Sequence, residues 1–195
     1  MELVNDYMIN EETVLFTGEF DSNGNLCTRV IEEEKSLLVR MSPEQLINKT
    51  LLRLGSSFDG ALESSKEMLD SIHMHPIKIN SSLGIWLFPT KSYRHVECVW
   101  FSLLHVKETK ARGVRKTEVL LSFGHSIEIQ MKECAFTKRV QKAEQLRDVI
   151  TRNAMSPFTF LLESKKGFQI CEGAGRNRYR ILAPEPANPQ KLVED

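Results

Sequence analysis

Residues 13–31 read Thr13-Val-Leu-Phe-Thr-Gly-Glu-Phe20, Asp21-Ser-Asn-Gly-Asn25, Leu26-Cys-Thr-Arg-Val-Ile31. Both flanking runs are rich in β-branched and aromatic residues, and Asn23-Gly24 is a favoured two-residue hairpin turn. A charged turn, Glu32 to Lys35, then leads to a third strand, Leu37 to Met41. The chain therefore opens as an antiparallel meander with an acidic surface.

A helix start follows the meander. Ser42 is a hydroxyl N-cap, Pro43 suits the first helical position, and Glu44 places a carboxylate in the first turn. Leu46, Ile47, Leu51, Leu52 and Leu54 recur at helical spacing, and Gly55 supplies the stop. A second short helix is expected over 59–69. Strand patterns return at Gly84-Ile-Trp-Leu-Phe-Pro89, at Cys98 to Val106, and in a hairpin of 118–123 with 126–131 across Gly124. Phe136, Val140, Ala143, Leu146 and Ile150 share one face at 100° per residue, so 136–152 reads as an amphipathic helix closed by Pro157. Phe158 to Leu162 reads as a further strand. The pattern predicts an α+β fold of antiparallel sheets with a few helices and no helix-turn-helix. Residues 1–183 are expected to form one domain, and 184–195, with Pro184, Pro186 and Pro189, an extended or disordered tail.

Composition bounds the function. No apolar run approaches the ~20 residues that span a bilayer. The acidic start lacks the basic and apolar regions of a secretory signal, which predicts a cytoplasmic protein without a membrane partner. Cys27, Cys98, Cys134 and Cys171 are spread apart without a CxxC pair and read as reduced thiols. Net charge is zero, but residues 1–90 hold seven Lys/Arg against fourteen Asp/Glu, and 91–183 hold eighteen against nine. Such asymmetry points to a polyanion-binding face in the second half.

Catalytic and metal readings are weaker. His73 and His75, with His95 and Cys98, are zinc-type ligands but lack the paired knuckles of a structural site, so no metal or other cofactor is expected. Cys98 with His95 or His105 is a conceivable nucleophilic pair, yet burial in an apolar strand raises a thiol pKa. Gly173-Ala-Gly175 lacks the strand-helix context of a phosphate cradle. An enzyme is not expected. The basic segment is more informative: Lys107, Lys110, Arg112, Arg115 and Lys116 cluster around Gly113. A basic loop tip can place cations on phosphates or in a minor groove. Lys91 and Arg94 after the Pro89 turn, and Lys138, Lys142 and Arg152 on the polar helix face, are further candidates. A solvated hairpin loop is the plain alternative for any one of these.

Three blocks carry a family resemblance: Leu54-Gly-Ser-Ser-Phe-Asp-Gly60, Gly84-Ile-Trp-Leu-Phe-Pro-Thr90 and Trp100-Phe-Ser-Leu-Leu-His-Val-Lys-Glu-Thr-Lys110. Their order and spacing resemble the competence transcription factor (ComK) family over roughly residues 5–165. The resemblance implies a bacterial activator of DNA-uptake genes that binds paired A-rich and T-rich half sites as a multimer, chiefly through the minor groove. A·T tracts narrow that groove and deepen its negative potential, which favours inserted Arg or Lys. The resemblance also implies an adaptor that delivers the protein to an ATP-dependent protease. The nearest docking segment is Phe160-Leu161-Leu162-Glu-Ser-Lys165, which lacks the Pro-Lys ending of the family, and the chain beyond Ile170 departs from it. Double-stranded A/T-rich DNA, further copies of the chain and a protease adaptor are thus the expected partners. A protein-interaction module whose basic half meets an acidic partner is the alternative, and a metal-dependent enzyme comes third.

Overall fold

In the computed structural model the described residues are 2–69, 73–155, 167–171, 173, 176 and 178–182. The chain divides into two compact units, Met1–Ser156 and Pro157–Asp195. In the second, β11 (Gly167–Cys171) and β12 (Arg178–Leu182) pair as an antiparallel hairpin. The segment Phe160-Leu161-Leu162, the strand expected over 158–162 and the tail 184–195 lie outside the described residues.

The first unit is α+β, with a seven-stranded sheet at its centre. Along the chain come β1 (Glu2–Val4), β2 (Thr13–Phe20), β3 (Leu26–Glu32) and β4 (Lys35–Val39), then helices α1 (Pro43–Arg53) and α2 (Phe58–Leu69). β5 (Ile77–Asn80), β6 (Ile85–Pro89) and β7 (Val99–Ser102) complete a sheet of order β1-β4-β3-β2-β7-β6-β5. Every pairing in it is antiparallel except β1 on β4. The expected meander is present. Its first connection differs, however, because Phe20 pairs with Leu26 and leaves a five-residue loop rather than a two-residue turn. Asp21 organises that loop: its Oδ1 accepts the N–H groups of Asn23 (2.9 Å) and Asn25 (2.8 Å), while Gly24 sits at φ 79°. An Asx side chain that takes over backbone hydrogen bonding is the physical reason for the longer loop.

α1 begins as expected and is capped twice. Gln45 N–H donates to Ser42 Oγ, and Ser42 N–H donates to Gln45 Oε1 at 2.9 Å, a capping box that satisfies two otherwise unpaired amides. α1 and α2 cover one face of the sheet, where Phe16, Val30, Val39, Leu87 and Trp100 meet Leu46, Ile47, Leu51, Phe58 and Leu62. Trp86, Phe88, Phe101 and Leu15 point into a second cluster on the opposite face. Alternate residues of β6 thus enter different cores, as the two-residue period of a strand requires.

The second cluster is closed by a smaller sheet and a long helix. The expected strand 98–106 is broken: after β7, a 3-10 turn (Leu103–His105) redirects the chain into β8 (Val106–Ala111), which belongs to a three-stranded sheet. β9 (Thr117–Leu121) and β10 (Ser126–Ile129) complete it in the order β10-β9-β8. α3 (Glu133–Met155) is longer than expected at both ends, and its predicted face is correct: Phe136, Ala143 and Leu146 are buried, with Val140 and Ile150 packed beside them. Phe136 meets Phe101 and Phe88 edge-on at 5.2 and 5.6 Å.

Candidate nucleic-acid interface

The basic segment is the β8–β9 hairpin. Ala111 pairs with Thr117, and Arg112 N–H donates to Lys116 O at 2.9 Å, which leaves Gly113, Val114 and Arg115 as a three-residue tip. Gly113 has φ 144°, outside the comfortable range of other L-residues. The base of the hairpin is anchored because Thr117, Val119 and Leu121 are buried, the last two in the second core. The outer face carries the charges. Lys110 stands directly across from Glu118, and Glu118 directly across from Glu128 on β10.

Those carboxylates change the electrostatics read from the sequence. Arg112 Nη2 and Nε donate to Glu118 Oε2 at 2.6 and 3.0 Å, Lys116 Nζ reaches Glu128 at 2.7 Å, and Lys110 lies 3.5 Å from Glu108. Five cations share the hairpin sheet with three glutamates. Among the described residues, Lys107 and Arg115 are the hairpin cations without an ion-pair partner. Glu108, Glu118 and Glu128 were missed in the sequence although a signal existed: in an antiparallel pair, opposed residues share a face.

The other candidates fall in different places. Lys91 and Arg94 lie on the β6–β7 loop, which Gly18 brings close to β2; a Cβ at Gly18 would meet Val96 O at 2.6 Å. Lys91 Nζ pairs with Glu97 at 2.6 Å and holds that carboxyl below its ordinary pKa. Arg94 lies over the Tyr93 ring at 5.7 Å. A cleft of about 460 Å³ runs between this loop and β10, lined by Lys91, Glu97, Val99, Glu128 and Met131. The fold therefore brings Lys91 alongside Glu128, the partner of Lys116. Lys138 is exposed, and Lys142 Nζ is engaged along its own helix with Gln145 at 2.9 Å. No hydrogen bond or ion pair among the described residues joins either to the hairpin. Arg139, also missed, donates to Pro89 O at 3.2 Å and ties α3 under the β6–β7 loop. Its spacing three residues after Phe136 and four before Ala143 places it beside the apolar stripe.

Among the described residues the metal and nucleophile candidates form no common cluster. No group of three or more His, Cys, Asp or Glu that could hold a metal ion occurs among the described residues. His73 and His75 line a cavity of about 240 Å³ with Lys66, Tyr93 and Trp100, and burial holds the His75 pKa down. Burial pushes the Cys98 thiol up, although the Lys91 and Thr90 backbone opposes it, and a buried thiol is a poor nucleophile. His105 is buried elsewhere, donating from Nε2 to Glu11 O at 2.7 Å beside the Phe123 ring. No helix among the described residues is long and apolar enough to cross a membrane.

One family model, ComK protein, matches residues 4–154 and so takes in the meander, the second sheet and all but the last residue of α3. The chain belongs to the ComK family. A curated relative, the competence transcription factor of Bacillus subtilis (strain 168), is 33% identical over 141 residues, covering 72% of this chain and 73% of that protein. No solved structure matches the chain.

Proposed function

We propose that the chain is a non-enzymatic, cytoplasmic transcription activator of competence genes that binds A/T-tract DNA through the minor groove. The hairpin cations Lys107, Lys110, Arg112, Arg115 and Lys116 meet the duplex, with Lys91 and Arg94 on the neighbouring loop. Lys138 and Lys142 form a separate outer contact on α3. The observation that carries this reading is a cationic hairpin anchored in the core and presented by a chain of the ComK family. Paired half sites require at least two copies, because spaced sites mirror repeated proteins. Phe160, Leu161 and Leu162 are the proposed docking point for a protease adaptor.

The test is a gel shift that compares an A/T-tract duplex with a G·C duplex across a salt series, with and without chelator. Binding should favour the A/T duplex, fall steeply with salt as counterions compete, and survive chelation. Arg112→Ala with Arg115→Ala should weaken it and flatten the salt slope. If Lys138→Ala with Lys142→Ala abolishes binding while the hairpin pair leaves it unchanged, the helix is the reader. The same hairpin cations carry a second reading, a docking surface for an acidic protein partner. Loss of all preference for duplex DNA would support it.

A further inference from the structure

The hairpin tip carries an apolar side chain where a purely electrostatic contact needs none. Val114 is 84% exposed, well beyond the next most exposed large hydrophobic among the described residues, Leu52 at 60%. It stands at the apex between Gly113 and Arg115. Arg112 and Lys116 flank the tip, and each is held by a glutamate on the sheet below. In the free protein these ion pairs stiffen the hairpin, and the tip beyond them presents one isopropyl group and one guanidinium. β-Branching leaves the valine few side-chain rotamers to lose on contact. A minor groove about 6 Å wide is too narrow for the two-stranded ribbon itself but admits single side chains projecting from its tip.

We propose that Val114 is a wedge that enters the minor groove, partly unstacks one base step and kinks the duplex, with Arg115 pairing to the adjacent phosphate. This inference rests on the DNA-binding reading above and adds a mode of contact to it. Minor-groove proteins that insert apolar side chains kink DNA by roughly 20–90° toward the major groove. Pyrimidine–purine steps are the most easily unstacked, so a TpA step inside an A/T tract is the natural point of entry.

The experiment uses the full chain and an A/T-tract duplex with one central TpA step, labelled at both ends for energy transfer. The same duplex carries 2-aminopurine at that step. At saturating protein the end-to-end distance should shorten by a bend of about 20° or more, and 2-aminopurine emission should rise. Val114→Ala should bind with both signals reduced toward those of free duplex, whereas Val114→Leu should restore them. Arg115→Ala should lower affinity and salt slope but still kink the DNA once saturated. Thermal melts should coincide for all three variants, because the side chains of Val114 and Arg115 are exposed. A bend by Val114→Ala equal to the parent's, or parent binding without any bend, overturns the wedge and leaves DNA binding standing. No binding of the parent to the duplex overturns both.

Discussion

Neutralising Glu118 offers a quantitative test of how the hairpin meets DNA. Its carboxylate holds Arg112 at 2.6 Å, with the two side chains 25% and 55% exposed respectively. Exposed pairs of this kind contribute about 0.2–1 kcal/mol. Glu118→Gln should therefore cost no more than about 1 kcal/mol, or about 2–4 °C in Tm for a unit of this size. The effect on binding should have the opposite sign. A carboxylate about 7 Å from a phosphate repels it by about 0.6 kcal/mol in water, nearly threefold in affinity, before screening by salt. Arg112, which in the parent must give up this partner to meet a phosphate, then meets it unopposed, which steepens the logarithmic salt slope by up to about 0.9. Fluorescence anisotropy of an A/T-tract duplex across roughly 50–200 mM salt, a range in which such contacts respond strongly, reads both quantities. The variant should bind more tightly at low salt, and the two affinity lines should converge as salt rises. Equal or weaker binding with an unchanged slope would refute the argument that Glu118 competes with DNA for Arg112.

The remaining predictions concern the scaffold. Phe136→Ala should cost about 3–5 kcal/mol by opening a void against Phe88 and Phe101, measured by calorimetry as a Tm drop of roughly 6–20 °C. Stability should fall as pH drops from about 7.5 to 5.5: burial holds the His75 and His105 pKa values below their ordinary value near 6.5, so the unfolded chain takes up protons first. A urea midpoint that stays level or rises at the lower pH would contradict that sign, and His105→Gln should lessen the fall. A thiol reagent should modify Cys134 and Cys171 in the native protein and reach Cys27 and Cys98 only after denaturation, since the first two are exposed and the latter two buried. Rapid native labelling of Cys98 would count against its placement in the core.

Local signals were legible in the sequence. Ser42, Pro43 and Glu44 mark the start of α1 because capping satisfies amides within one turn of chain. The face of α3 could be read from five residues because helical period is intrinsic to the backbone. The β9–β10 hairpin was legible for the same reason, since its partners are separated only by the turn at Gly124. Tertiary structure decided what depends on partners far apart in sequence. The run 98–106 is apolar but for Ser102 and His105, so its period could not reveal that Leu103–His105 turns the chain from one sheet into another. β6 and β7 are covered by helices on one face and by the second sheet with α3 on the other, and burial on both faces erases the alternation that marks a half-exposed strand. Strand register likewise set the charge of the candidate interface. The cluster of cations around Gly113 is local and visible in the chain, but Glu128 meets Lys116 only once β10 has paired beside β9.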